Sequence, residues 1–423
     1  MLARRLASLS PPSLRIAMGD QCSAPMRNVL LALVIPLLAI ATTGCQMRGQ
    51  KKTPPPPPVT KDYNKPLGAG ERALVDIDIN ELPVLTLASE DRARLQTAIQ
   101  HSLAFLNRPS ADLKYPMGSI TKDQVVRSLH AVAELLQSTT DAAQFDAALK
   151  SRFRALMSVG CDDRGTVLFT GYYTPIFNAS RVPTATYKYP IYKRPADLVQ
   201  GAKQDDLALQ RLPDGSSRPY PARAELESNG SLRGLELIYF QDPYEAYVVE
   251  VQGSAKVLLP DGTQLEIGYS GTNGHKYHPI AMDLVNEGKI RREELSLAVV
   301  RAYFRDHPAE LVEYRQRNPR MIFFAPTKGG PFGSLGQPVT TDVSVATDKS
   351  IFPAGALCLA ATNATAGSGR GGNYAALRLD QDTGGGIRAA GRCDLYMGEG
   401  DAAERRAGNQ FAEGKLYYLL LKE

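Results

Sequence analysis

Three aspartates near the C-terminus have the type and setting that acid–base chemistry needs: Asp348 in Val345-Ala346-Thr347-Asp348, Asp382 ahead of Gly384-Gly385-Gly386, and Asp394 in Cys393-Asp394-Leu395-Tyr396. Their promise is unequal. Asp394 lies between Cys393 and Leu395 with Tyr396 close by, so partial desolvation and a neighbouring aspartate would both favour its protonated form. A carboxylic acid kept protonated near neutral pH donates to a glycosidic oxygen and, once ionised, accepts a proton back. Asp beside Gly is also a frequent turn former, so residue chemistry alone leaves a structural role open.

Other chemistries find less support. His275 and His278 are close in Gly274-His275-Lys276-Tyr277-His278-Pro279, but the Gly and Pro bracket reads as a loop. No Cys or carboxylate cluster in the sequence completes a tetrahedral set, so neither a metal nor a cofactor is expected. Ser254 in Gln252-Gly253-Ser254-Ala255 has no G-x-S-x-G elbow and no obvious partner His; it reads as a strand-to-turn serine. Asp382-Thr383-Gly384 has the form of an aspartic-protease loop, yet two such loops are needed to share a proton and only one occurs.

Short β-rich runs separated by turns would position these residues: Val167–Phe169, Tyr189–Tyr192, Leu235–Phe240, Tyr247–Val251 and Lys256–Leu259, then the Pro260-Asp261-Gly262 turn and Leu265–Ile267. This spacing predicts an antiparallel β domain. Three helices precede it. One carries the stripe Leu95, Ile99, Leu103; a second starts at a Thr121/Gln124 capping box before Val125, Leu129, Val132 and Leu136; a third carries Phe145, Leu149, Phe153 and Leu156. A helical interlude from Ile280 to about Asn318 has Pro308 in a helix first turn, and the chain beyond Met321 reads as strands and glycines, closing with Tyr417–Leu421.

The 423 residues hold 49 Lys+Arg, 44 Asp+Glu, 43% hydrophobic residues, 36 Gly, 29 Pro and no Trp. That balance argues against disorder, collagen and coiled coil, and any aromatic sugar platform must use Tyr or Phe. Residues 1–44 hold four Arg and one Asp; the remainder is close to neutral, which gives nucleic acid little to bind. Val29–Ala41 is too short for a comfortable membrane span and follows Arg27, so residues 1–44 read as a signal peptide, with Met26 as a plausible true start. Thr42-Thr43-Gly44-Cys45 resembles a bacterial lipobox, making Cys45 the expected lipidation site. Pro54–Pro58 lies in a stiff linker spanning 45–75. Gln46 after that cysteine, by resemblance to lipoprotein sorting rules, favours the periplasmic face of the outer membrane. Of Cys161, Cys358 and Cys393, the last two are the favoured disulfide only because they share one segment.

An ordered set of short motifs joins these readings: Gly171-Tyr172-Tyr173-Thr174-Pro175, Tyr189-Pro190-Ile191-Tyr192, Gln252-Gly253-Ser254, Gly268-Tyr269 leading to Asn273-Gly274-His275, and Asn318-Pro319 before Phe323-Phe324. Then come Gly333-Ser334-Leu335-Gly336, the Asp348–Gly355 stretch, Asp382-Thr383-Gly384-Gly385, Asp394-Leu395-Tyr396-Met397-Gly398 and Ala407-Gly408. In this order the chain resembles the membrane-bound lytic transglycosylase A family, whose C-terminal module is the three-aspartate (3D) domain. The resemblance implies a mainly β fold with flanking helices: a double-psi β-barrel from residues 76–176 and 316–423, a second β domain inserted over 177–315, and a groove between them. It implies cleavage of the β-1,4 bond between N-acetylmuramic acid and N-acetylglucosamine, with the muramyl C6 hydroxyl closing a 1,6-anhydro ring. Catalysis would fall to Asp394 with Asp382 nearby, and Asp348 would support the site. Tyr172, Tyr173, Gln252, Ser254, Asn273 and Tyr277 would line the groove. Peptidoglycan glycan strands, the membrane and a cell-wall synthesis complex would be its partners. The rival is a non-catalytic, peptidoglycan-binding lipoprotein. Ile387–Gly391 looks one residue longer than the family spacing, and the glycines around it would let a loop absorb the insertion.

Overall fold

Local signals start the first helices where the sequence places them. α1 (Ser89–Leu106) buries Leu95, Ile99 and Leu103, and α2 (Lys122–Ser138) begins where the Thr121 hydroxyl accepts from the Gln124 N–H at 3.1 Å. α3 (Ala142–Arg152) is capped by Asp141, 2.8 Å from the Gln144 N–H. The third helix stops short of Phe153 and Leu156, which lie on a strand. Pairing on both edges of that strand overrides the four-residue period.

The computed structural model describes residues 61–85, 87–201, 206–364 and 372–423. The signal peptide, Cys45 and the Pro54–Pro58 run lie outside the described residues. In chain order the strands begin with β1 (Leu74–Ile77), β2 (Phe153–Ser158) and β3 (Val167–Thr174). Next come β4 (Ile176–Ser180), β5 (Tyr189–Tyr192), β6 (Leu198–Val199), β7 (Leu209–Arg211), β8 (Ser217–Pro219), β9 (Glu236–Phe240), β10 (Ser254–Leu258), β11 (Gln264–Thr272) and β12 (Ile322–Thr327). The last are β13 (Ser344–Ala346), β14 (Leu357–Ala364), β15 (Gly372–Asp382), β16 (Arg392–Glu399) and β17 (Phe411–Leu421). The later helices are α4 (Arg223–Ser228), α5 (Pro243–Gln252), α6 (Ile280–Asn286), α7 (Leu297–Asp306), α8 (Pro308–Arg317) and α9 (Gly400–Asn409).

Eight strands form the main sheet in the order β1-β2-β17-β14-β15-β13-β16-β3, and the first residues of β17 also pair with β3. Six form a second sheet, β12-β11-β10-β4-β9-β5, and β6-β7-β8 make a small third. Strands β4 to β12 all belong to the second and third sheets, so the chain leaves the main sheet after β3 and returns at β13. One apolar core runs beneath the helices and both large sheets. A smaller core of Leu198, Ala208, Tyr220, Leu226, Leu232, Met321 and Phe323 supports the third sheet.

The expected mainly β class with a double-psi β-barrel is corrected: the fold is mixed α/β with an inserted domain, and its main β unit is an eight-stranded mixed sheet. The β-rich grammar outweighs helix signals that the structure honours. Tyr247–Val251, expected as a strand, lies in α5, because Asp242 caps the helix, Pro243 sits in its first turn and Gly253 (φ 78°) ends it in the left-handed region. α9 interrupts the C-terminal strands. Pairing is not purely antiparallel either, since β4–β10, β3–β16 and β13–β15 run parallel. Register with distant partners leaves no local mark in a sequence. Cys358 and Cys393 are buried free thiols on β14 and β16, with β15 and β13 between them in the sheet, so the favoured disulfide is corrected too.

Candidate active site

β13 brings the two principal aspartates together. In register, Ala346 lies opposite Asp394 of β16 on one side and Asp382 of β15 on the other. Two strand spacings therefore separate the backbones, about 10 Å. A register shift between Val345 and Ala346 marks a bulge at Gln381, whose amide instead donates to the Ala98 carbonyl (2.7 Å) and Ser102 hydroxyl (3.0 Å) of α1. The bulge re-aims the end of β15 and leaves Asp382 at the site.

Asp382 is saturated with donors. Its Oδ1 accepts from the Ser334 and Thr383 N–H groups, both at 2.8 Å, and its Oδ2 accepts from the Tyr172 hydroxyl at 2.9 Å. Gly333 permits the Ser334 contact: a Cβ there would fall 2.7 Å from the Gln381 carbonyl. Burial pushes the Asp382 carboxyl up, and these three donors and the Lys349 charge pull against it. Lys349 is buried; its ammonium reaches Asp380, the Thr347 hydroxyl (3.0 Å) and the Asp382 carbonyl.

Asp394 is different. Its side chain is 17% exposed, and its Oδ1 is buried with no hydrogen-bond partner among the described residues. Burial, opposed by Arg392 and reinforced by Asp382, pushes its carboxyl up to about 6. Arg392 Nη2 stands 3.7 Å from that Oδ1 and donates to the Thr170 hydroxyl at 3.1 Å.

Of the residues expected to line the groove, Tyr172 and Tyr277 face the aspartates. Tyr172 holds Asp382 and tilts against Tyr396 with ring centroids 5.1 Å apart. Tyr277, in the loop between β11 and α6, packs on Gly385 and Gly386, where an added Cβ would meet it at 3.4 Å; the charges of Asp394 and Arg392 both act on it. Ser254 is half-buried at the start of β10, and Gln252 accepts from the Tyr173 N–H at 3.1 Å. Two expectations are corrected. Tyr173 points into the core, because successive strand residues face opposite sides. Asn273 is fully buried, with its amide on the Pro221 and Pro319 carbonyls and the Met321 N–H.

Asp348 accepts from the Ser350 N–H and hydroxyl, and from the Ala389 N–H at 2.9 Å. Ala389 is left-handed (φ 61°), and Asp348 holds it there, in the loop that leads from the Gly384–Gly386 turn towards β16. His275 and His278 bond the Tyr220 carbonyl (2.9 Å) and Asp283 (2.7 Å). Sequence reasoning gave no site role to Arg392, Lys349 or Ser334, although Ser334 and Lys349 fall within the ordered motifs and Arg392 lies two residues before Asp394, on the same strand face.

Two family models match this chain: an MltA specific insert domain over residues 168–325 and a 3D domain over 343–420. Membrane-bound lytic murein transglycosylase A of Escherichia coli K12 is 32% identical over 265 residues, covering 62% of this chain and 67% of that one. The Vibrio cholerae protein of the same name is 33% identical over 271 residues, covering 62% and 68%. Among solved structures, E. coli MltA with bound chitohexaose aligns with TM-score 0.65 and 26% identity, covering 86% of this chain and 96% of that one. A membrane-bound lytic murein transglycosylase from Agrobacterium tumefaciens shares the fold at TM-score 0.69 and 24% identity, covering 82% and 98%.

Proposed function

Since the chain belongs to the MltA family of membrane-bound lytic murein transglycosylases, we propose that one carboxyl group, Asp394, supplies both its acid and its base. The chain is a lytic transglycosylase, a lyase that cleaves the β-1,4 bond between N-acetylmuramic acid and N-acetylglucosamine in peptidoglycan and leaves 1,6-anhydro ends. Asp394 gives its proton to the glycosidic oxygen as the bond from that oxygen to the muramyl C1 breaks. The muramyl C6 oxygen then bonds to C1, and its proton returns to the Asp394 carboxylate. A hydrolase needs a second carboxylate as nucleophile or as base for water, whereas a tethered hydroxyl brings a high effective molarity and needs only the first.

The observation carrying this reading is that Asp394 is partly desolvated, pushed up to about 6 and left without a hydrogen-bond partner on Oδ1 among the described residues. Asp382, whose negative charge helps hold Asp394 protonated, anchors Tyr172 and the Ser334 loop. Asp348 fixes the loop between them, and Tyr172, Tyr277, Gln252 and Ser254 contact the sugars. The division into tether (45–75), N-terminal part (76–176), insert (177–315) and 3D domain (316–423) belongs to the same proposal; the chain's departure from the main sheet after β3 supports its start, while β12 (Ile322–Thr327) still pairs within the second sheet.

Mass spectrometry of a digest of purified sacculi tests the function: a lyase yields muropeptides lighter by one water than a muramidase does, and a pure binder yields no new ends. Attachment to the periplasmic face of the outer membrane through lipidated Cys45 is proposed from the sequence motif, supported by similarity to membrane-bound lytic murein transglycosylase A of Escherichia coli. Cys45→Ala is expected to release the protein from membranes, and unchanged fractionation refutes the anchor.

A further inference from the structure

Two unpartnered polar atoms of opposite kind stand side by side on β16. Arg392 Nε, a donor, and Asp394 Oδ1, an acceptor, are both buried with no hydrogen-bond partner among the described residues. Both side chains are 17% exposed and project from the same face of the strand, two residues apart. The closest approach of the pair, 3.7 Å from Nη2 to Oδ1, is too long for a hydrogen bond, and the Thr170 hydroxyl holds Nη2 at 3.1 Å. Leaving a buried donor and a buried acceptor unmatched costs stability. The arrangement fits a site that a ligand completes. An oxygen atom that accepts from Nε–H while its neighbourhood meets Asp394 satisfies both, and saccharide hydroxyl and acetamido oxygens have that chemistry.

We propose that Arg392 is a positioning residue for proton transfer: anchored by Thr170, it donates its Nε–H to an oxygen of the bound glycan strand and so seats the scissile bond against Asp394. This rests on the reading of Asp394 as the acid. The guanidinium charge also favours the carboxylate form of Asp394 after the first proton has left, which helps the carboxyl act in the second direction. The groups facing Asp394 are Arg392 on its own strand, Asp382 on β15, Tyr172 on β3 and Tyr277 in the loop before α6, with the thiol of Cys393 beside it. Arg392 is the cation among the charges acting on Asp394.

The test follows release of anhydro product from purified sacculi against pH in the full-length protein, for Arg392→Gln, Arg392→Lys, Thr170→Val and Asp394→Asn. Arg392→Gln is expected to lower kcat/KM by about 10- to 100-fold, the loss of one charge-assisted hydrogen bond, and to move the alkaline limb of the profile to higher pH, since the cation that favours ionised Asp394 is gone. Arg392→Lys keeps the charge, so its limb stays in place while kcat/KM falls for want of the Nε–H. Thr170→Val is expected to raise KM several-fold with the limb unchanged. A merely structural Arg392 would lower the melting temperature while Arg392→Lys and Thr170→Val kept wild-type kcat/KM. Wild-type kcat/KM and an unmoved limb in a folded Arg392→Gln protein overturn the proposal; should that variant not fold, wild-type kcat/KM in both Arg392→Lys and Thr170→Val does the same. Anhydro product from Asp394→Asn would instead overturn the reading of the acid.

Discussion

The end of β15 and the middle of β16 each present an aspartate to the same site, and the two corners are built in opposite ways. Asp382 accepts from two backbone N–H groups and the Tyr172 hydroxyl, so its carboxylate fastens a turn, a loop and an aromatic ring. Asp394 has an Oδ1 without a hydrogen-bond partner among the described residues and a cation at 3.7 Å. The three donors oppose the upward push of burial on the Asp382 carboxyl and commit both of its oxygens to the framework of the site. Asp394, with its Oδ1 unpartnered among the described residues and its carboxyl pushed up to about 6, can change state, and the difference separates the residue that builds the site from the residue that works in it.

Removing the carboxyl from the working corner gives the largest expected effect. Asp394→Asn should reduce anhydro-product release by ~10³-fold or more, within the range for a lost acid–base group, with no fall in melting temperature. Comparable activity in that variant would erase the contrast. Next in size, Asp382→Asn retains one acceptor oxygen but no longer matches all three donors. It should destabilise the protein by about 1–3 kcal/mol and slow turnover by roughly 10-fold through Tyr172 and the Ser334 loop. It should also shift the alkaline limb to lower pH, because the charge that helps keep Asp394 protonated is lost. A limb that does not move would mean the two corners do not communicate.

The smallest effect sharpens the same contrast in stability. Asp394 holds its proton more tightly in the folded protein, up to about 6 against an ordinary 3.8, so the folded state binds more protons than the unfolded chain between those values. Its favourable contribution is complete below about pH 4 and lost as pH rises through about 6. The always-neutral Asp394→Asn protein should therefore match wild type near pH 4 and exceed it by up to about 3 kcal/mol near pH 8, as read by urea unfolding. Equal stability at both pH values would place Asp394 in a wet, unperturbed setting.

Much of this was legible before any coordinates. The stripes of α1 and α2, the hairpin β10–β11 and the three aspartates follow from period, turn chemistry and motif order. The partition of the tyrosines was also within reach, since strand alternation sends Tyr172 and Tyr173 to opposite faces. The burial of Asn273 was not, because its partners Pro221, Pro319 and Met321 come from distant parts of the chain. Phe153–Ser158 shows the same limit: its apolar period suits a helix, and only the edges offered by β1 and β17 make it a strand. Sheet order is non-local in the same way, which is why the expected barrel gave place to the eight-stranded sheet. Ser334 lies in the Gly333-Ser334-Leu335-Gly336 motif, but its backbone contact with Asp382 joins distant parts of the chain and leaves no local mark.

The most direct measurement is a carbon-13 carboxyl NMR titration of aspartates in the wild-type protein, with the Asp394 resonance assigned by its loss in Asp394→Asn. A midpoint near pH 6 is expected for Asp394. A midpoint at the ordinary 3.8 would contradict a carboxyl group able to start the reaction protonated.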